Sequence, residues 1–361
     1  MATLPDLAPD PTRQGQPDKL YDSHGRQITD LRVSITDRCN YKCVYCRTGN
    51  VGAQFAELKT EDYLRLIRNF VALGIEKVRL TGGEPLLRKD LPEMVRELAS
   101  WHTPMGEKLD LAITTNGHLL EDLAQPLKDA GLSRITISMD AAGTSTESSE
   151  SAQAIFERIT RVPGSYQAVL RGIRAAKEAG FQRIKINCVL LRGFNDDQVE
   201  AFAAFARREN VIVRFIEFMP LEEDRLWSPE MVVPLREIVE RISKVFPLKA
   251  LIPNSISETA RRFGFLDDPD GLSLGEIGII APVTQAFCGA CSRIRLTSDG
   301  KIRTCLFSNL EHDIYSKMKN GASDANLQEL IVRTVEQKEA RHHIGEPEFL
   351  KPSRSMVHIG G

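Results

Sequence analysis

From Leu31 onward, short runs rich in apolar and β-branched residues alternate with longer segments whose apolar positions recur every three or four residues. The short runs are Leu31–Thr36, Lys77–Thr81, Leu109–Thr114, Arg134–Met139, Arg183–Leu190 and Val211–Phe215. Between them lie helical patterns at Glu61–Leu73, Leu91–Trp101, Leu119–Ala130, Gln167–Glu178 and Asp196–Arg208. In the first of these, Tyr63, Leu64, Ile67, Phe70 and Val71 share one face. Five strand–helix alternations and a sixth strand predict a parallel sheet with right-handed crossovers. Six units are too few for a closed eight-fold barrel. The expected fold is therefore α/β, a partial (β/α)6 barrel of the TIM type, with a long loop (Arg47–Lys59) before its first helix.

The pattern changes after Met219-Pro220. A helix is expected at Leu235–Val245, then short runs at Gly278–Ala281, Arg293–Thr297 and Ile302–Phe307, with Ser298-Asp299-Gly300 as a hairpin turn between the last two. The expected organisation is a loose N-terminal extension (residues 1–20), a barrel (21–225), and a smaller C-terminal domain (226–361) packed over the barrel mouth. Met1–Pro17 is rich in Pro, Asp and Gln, and Thr144–Ser151 reads as a Ser/Thr/Glu loop.

Composition narrows the function. The 361 residues are 42% hydrophobic and 27% charged, with a formal net charge of −2, so neither a nucleic-acid face nor a polybasic membrane arm is indicated. No apolar run is long enough to span a bilayer, and the first residues do not form a secretory leader. A soluble cytoplasmic protein is expected. In that reducing compartment the seven cysteines are poor disulfide candidates. Six of them form two triplets, Cys39/Cys43/Cys46 and Cys288/Cys291/Cys305. Cys188 stands alone in an apolar strand and is expected to act as a small hydrophobe.

Iron–sulfur clusters are held by cysteine thiolates, normally four, so a triplet leaves one iron open to another ligand. Spacing alone also permits structural zinc, which wants a fourth protein ligand. Near the second triplet no Cys or His offers one; His312 lies past the hairpin. The first triplet follows the first strand, where barrels carry catalytic groups. Thr81-Gly82-Gly83-Glu84-Pro85, Thr114-Thr115-Asn116-Gly117, Ser138-Met139-Asp140 and Glu217-Phe218-Met219-Pro220 end other strands on the same rim. The two glycines allow close backbone approach to a ligand, and Glu84 can accept from an ammonium. Arg32, Arg79 and Lys185 lie inside apolar strands, and Arg293 and Arg295 share one face of a later strand. Parallel strands are normally buried on both faces, so inward cations ask for an anion, and Arg forks suit phosphate.

The Cys39-x3-Cys43-x2-Cys46 spacing, with Tyr45 before the last cysteine, resembles the radical S-adenosylmethionine (SAM) superfamily. Both triplets together, with Leu31-Arg32-Val33-Ser34, Arg79–Leu86, Arg214–Met219 and the terminal Gly360-Gly361, resemble the GTP 3′,8-cyclase family from about Leu20 to the end. The resemblance implies two [4Fe–4S] clusters, one on Cys39, Cys43 and Cys46 that binds SAM, and one on Cys288, Cys291 and Cys305 that meets guanine. It implies SAM contacts at Tyr45, Gly83, Ser138 and Met219. It implies GTP contacts at Arg32, Arg79, Thr114, Lys185, Arg293 and Arg295. A 5′-deoxyadenosyl radical would take the ribose 3′ hydrogen and the carbon radical would close onto guanine C8, the first step of molybdenum cofactor biosynthesis. The resemblance further implies an external electron donor and a downstream cyclic pyranopterin monophosphate synthase; a homodimer is one permitted assembly. Arg47-Thr48, the Ser-rich stretch Ala142–Ala154 and the tail Val357–Ile359 depart from the family pattern. Two rival readings remain: a peptide-modifying radical SAM maturase, and a zinc-stabilised binding protein.

Overall fold

The computed structural model describes residues 19–46, 53–143, 149–223, 226–269 and 273–359. Met1–Pro17, Arg47-Thr48 and Gly360-Gly361 lie outside them, as does most of the expected Ser/Thr/Glu loop. Six strands form in the predicted places: β1 (Asp30–Ser34), β2 (Lys77–Thr81), β3 (Asp110–Thr115), β4 (Arg134–Ser138), β5 (Lys185–Leu190) and β6 (Ile212–Glu217). They pair in sequence order, all parallel. The connecting helices are α1 (Thr60–Ala72), α2 (Leu91–Ala99), α3 (Leu120–Asp129), the pair α4 (Ser149–Thr160) and α5 (Ser165–Glu178), and α6 (Val199–Glu209).

Helix α4 was not expected: it begins inside the expected Thr144–Ser151 loop and runs on through residues 152–160, for which no element was predicted. Its Ser/Glu-rich start masks an apolar face that begins at Ala152 and continues through Phe156 and Ile159, all buried. The second half of the chain adds α7 (Leu235–Val245), as predicted, and β7 (Leu248–Ala250), β8 (Arg261–Phe265), β9 (Glu276–Ile280), β10 (Arg293–Leu296), β11 (Lys301–Arg303) and β12 (His312–Asp313). Three further helices, α8 (Tyr315–Lys319), α9 (Asp324–Glu336) and α10 (Met356–Ile359), were not foreseen. Helix α9 carried a usable signal, because Ser323 caps it by accepting from Asn326 N–H. The expected hairpin joins β10 to β11, with Gly300 in the left-handed region its turn requires.

The C-terminal strands join the barrel sheet at both edges. β10 pairs parallel with β1 and β9 pairs parallel with β6, so the order is β12-β11-β10-β1-β2-β3-β4-β5-β6-β9-β8-β7. Alternation along the strands sorts the residues. Leu31 and Val33, Val78 and Leu80, Ile113, Ile135 and Ile137, Ile186, and Val213 and Phe215 are buried in one core. Register then sets Arg295, Arg32 and Arg79 side by side, with Thr114, Thr136 and Lys185 in another row. Cys188 is buried, as expected, with its sulfur beside the Asn195 amide. Among the described residues no helix is long and apolar enough to cross a membrane.

Candidate active site

The first cysteine loop leaves the C-terminal end of β1 and is tied to four neighbouring strand ends and helices. Gly83 N–H donates to the Thr36 carbonyl (2.8 Å) and Glu84 N–H to that of Arg38 (2.7 Å). A Cβ on Gly82 would come to 2.2 Å from the Thr36 carbonyl oxygen, and one on Gly83 to 2.2 Å from that of Arg38. The glycines thus admit the backbone of the cysteine loop itself. Asn116 donates to Asn40 (2.7 Å), the Tyr45 hydroxyl to Asp140 (2.7 Å), and Lys42 and Val44 N–H to the last turn of α4. Phe218, just before Met219, packs with Val44, Ile159 and Leu191. Tyr45, the end of β4 at Ser138-Met139-Asp140 and the Met219 segment therefore meet around this loop.

Glu84 does not face outward as an open acceptor. It takes hydrogen bonds from Leu86 N–H, the Thr115 hydroxyl and Asn116 N–H, bracing the ends of β2 and β3. Burial pushes its carboxyl up to about 7 despite those bonds, and burial does the same to Asp140. Burial, then Asp140 and the two neighbouring cysteines, drive the Cys43 thiol well above its ordinary value. Three thiolates here need a positive partner, which a metal cluster supplies.

The second triplet lies at the other end of the sheet, off the rim that carries the first. Cys288 and Cys291 flank a short turn before β10, and β10 runs parallel to β1 with Asp30 opposite Arg293. The length of β1, roughly 16 Å at 3.3 Å per residue, separates the two levels. Cys305 returns after β11 through the hairpin. Arg26 holds this corner by donating to the carbonyls of Cys288 (2.9 Å), Ala340 (2.8 Å) and Glu339 (2.7 Å). Although burial pushes the Cys291 thiol up, the charges of Arg293 and Lys338 prevail and bring it down to about 6. Burial dominates at Cys305 and raises its thiol. Charge coupling of Cys43 with Cys39 and Cys46, and of Cys305 with Cys291, sets the thiols of each triplet near one another, and the thiolate is the form that binds a cluster.

At the second-triplet level, against the N-terminal halves of the strands, lies an open channel of about 240 Å³ lined by Arg32, Arg79, Lys185 and Arg293. Arg79 donates to the hydroxyls of Thr114 (3.1 Å) and Thr136 (3.2 Å). Arg295 stands apart from that lining; it sits on the register position beside Arg32 and donates to the Ile359 carbonyl (3.2 Å). Arg214, on β6, also lines the channel and was missed, although a cation between Val213 and Phe215 is the same signal that exposed Arg32 and Arg79. Arg134, Arg183, Arg262 and the polar loop around Glu258 complete the wall. Burial, followed by mutual repulsion, lowers Arg32 and Arg79 to about 9 and Arg214 to about 10. This channel is built for a polyanion.

Burial, then Arg214, Arg134 and Arg79, bring the Lys185 ammonium from 10.5 down to about 7. The unfolded chain therefore binds more protons than the folded one between those values, and ligand-free stability rises with pH across that window. Binding of a polyanion restores the proton. Its affinity is expected to fall as pH rises from about 6 to 9, with proton uptake visible by calorimetry in buffers of different ionisation enthalpy. Lys185→Met should flatten that profile.

The last described turn, α10, is wedged against β1. Val357, His358 and Ile359 are buried, and the Ser34 hydroxyl meets the Val357 carbonyl. Arg354 latches the tail, pairing with both Asp299 oxygens (2.8 and 2.9 Å) and with Glu311 (2.7 Å). Its guanidinium stacks on Phe55, whose ring also meets His358 edge-on. Arg354→Ala is expected to raise amide exchange of residues 355–359 about tenfold or more, as loss of charge-assisted bonds of ~1.5–3 kcal/mol implies; exchange mass spectrometry reads it.

Comparison with known proteins decides the family. Residues 33–206 match the Radical SAM superfamily and residues 211–344 match the Molybdenum Cofactor Synthesis C family. The GTP 3′,8-cyclase of Acidothermus cellulolyticus is 42% identical over 90% of this chain and 87% of its own. The chain belongs to the GTP 3′,8-cyclase family. The cyclase of Xanthomonas axonopodis pv. citri is likewise 42% identical, over 84% of this chain and 87% of its own. Solved structures agree in fold. Native anSMEcpe with bound AdoMet superposes with a TM-score of 0.57 at 15% identity, covering 86% of this chain and 81% of that one. Streptococcus suis SuiB bound to the precursor peptide SuiA gives 0.57 at 13% identity, covering 91% and 76%. The radical SAM partial barrel is thus the fold of the family member described here.

Proposed function

We propose that this chain is a radical SAM enzyme that cyclises GTP to (8S)-3′,8-cyclo-7,8-dihydroguanosine 5′-triphosphate, the first step of molybdenum cofactor biosynthesis. The observation that carries this is the cation-lined channel at the second-triplet end of a sheet whose opposite rim bears the first triplet. When bound at the first triplet, a [4Fe–4S] cluster supplies the one-electron cleavage of the SAM sulfonium that starts the reaction. Cys39, Cys43 and Cys46 would hold that cluster, with Tyr45, Gly83, Ser138 and Met219 around SAM. Cys288, Cys291 and Cys305 would hold the second cluster at the guanine end. Arg32, Arg79, Lys185 and Arg293 would take the triphosphate, with Arg214 added to them. Thr114 orients Arg79, and Arg295 ties the tail to β10. A triphosphate lying among these cations directs the ribose toward the first triplet, and α10 keeps water from that level.

A peptide substrate would not need so many inward cations, which sets this chain apart from a peptide-modifying maturase. The reading includes a cytoplasmic enzyme fed by an external electron donor, whose product passes to a cyclic pyranopterin monophosphate synthase; a homodimer is one permitted assembly. Anaerobic reconstitution should load about eight irons with matching sulfide. Incubation with GTP, SAM and reductant should yield 5′-deoxyadenosine and a pterin-convertible product. Zinc without sulfide in both triplets, or SAM cleavage with no GTP-derived product, would sink the proposal.

A further inference from the structure

One buried cation near the second triplet has no role in the reading above. Lys338 follows α9 with 3% of its surface exposed. Its ammonium donates to the carbonyl of Arg293 (3.0 Å), two residues after Cys291, and to that of Thr304, the residue before Cys305. It thereby bridges the strand that follows one ligand and the strand that leads to another. Among the described residues it makes no ion pair with a carboxylate. Its neighbour Glu339 is engaged instead by the Thr304 hydroxyl (2.7 Å). An ammonium removed from water and satisfied only by carbonyl dipoles is costly unless a negative charge lies close. The groups that can supply that charge are the thiolates of Cys291 and Cys305, on both of which Lys338 exerts a favourable charge. At the first triplet the strongest charge acting on Cys43 comes from a carboxyl, Asp140.

Resting on the two-cluster reading, we propose that Lys338 is a positioning residue for the second cluster, clamping the strands that bear Cys291 and Cys305 and balancing the negative charge of the thiolate-bound cluster. Net charge and surrounding hydrogen bonds set the potential of such clusters. The ammonium thus favours the reduced cluster and resists loss of iron.

The test uses the full reconstituted chain and three proteins: wild type, Lys338→Gln and Lys338→Arg. Glutamine keeps an N–H donor for the carbonyls and removes the charge, whereas arginine keeps the charge. In Lys338→Gln the second cluster should lose iron to a chelator about tenfold faster, and its midpoint potential by EPR-monitored titration should move to more negative values. The first cluster should be unchanged, and Lys338→Arg should stay near wild type on both readouts. Wild-type potential and iron retention in Lys338→Gln would overturn the proposal while leaving two clusters in place. Equal changes in Gln and Arg variants would also overturn it, because packing and not charge would then be responsible. A wild-type protein that binds only about four irons would overturn the second-cluster reading itself, a result separable from the other two.

Discussion

Gly82→Ala is expected to cut SAM cleavage by more than about 100-fold while leaving the barrel folded. Gly82 has φ +152°, a conformation that residues with a Cβ rarely adopt, and its Cβ would lie 2.2 Å from the Thr36 carbonyl oxygen. That oxygen belongs to a rigid backbone three residues before Cys39 and already accepts from Gly83 N–H. The collision is relieved by moving the cysteine loop, which is held by hydrogen bonds, in preference to the buried sheet. The strain, about 1–3 kcal/mol, is well inside the stability of a folded domain. Misplacing catalytic ligands by an ångström is enough for the expected loss. Iron content should fall by about half as the first cluster fails to assemble, with the second cluster and GTP binding retained. Wild-type iron content and SAM cleavage in this variant would refute the role given to the glycines.

Arg79→Met should make the ligand-free protein more stable and its affinity for GTP about 10- to 100-fold weaker. The two effects have one cause. Arg79 is desolvated and faces Arg214 and Arg134, so its charged form is disfavoured in the empty channel, as its fall to about 9 records. Removing the charge relieves that cost at every pH below about 9, where the folded group would otherwise carry it. Methionine keeps most of the volume. The ligand-free melting temperature should rise by ~1–2 °C, which is what ~1 kcal/mol gives in a chain of this size. With GTP present the order should invert, because the lost guanidinium can no longer make charge-assisted bonds to phosphate. A lower ligand-free melting temperature with unchanged GTP affinity would contradict the account.

Much of this site was legible because its chemistry violates the local pattern. Arg32, Arg79 and Lys185 stand out in apolar parallel strands, and the cysteines stand out by spacing. Arg214 carries the same signal between Val213 and Phe215 and needed only the same rule. Other features depend on pairing between distant residues, which no local period encodes. The direction of β10, and hence the placing of the second triplet at the far end of the sheet, follows from Asp30 lying opposite Arg293. The polar stretch Asn254–Ala260 reaches the channel because β9 and β8 extend the sheet beyond β6. Gly82-Gly83 announced that space was needed but not that the cysteine loop's own backbone fills it. Helix α4 was hidden by a polar start, although Ala152, Phe156 and Ile159 hold the correct period.

The pairing of β1 with β10 also has a consequence for how the chain is made. β1 is among the first segments to leave the ribosome, yet the strand that covers its outer edge begins only at residue 293. At about 5–20 residues per second, that edge waits for some tens of seconds with unpaired backbone groups. β6 waits more briefly for β9, which begins at residue 276. A nascent chain halted after β6 and before residue 276 would present both edges at once and would recruit other strands. Arrested or C-terminally shortened chains should therefore aggregate rather than persist as half-proteins, and Cys291 and Cys305 come under one roof only when synthesis is nearly done.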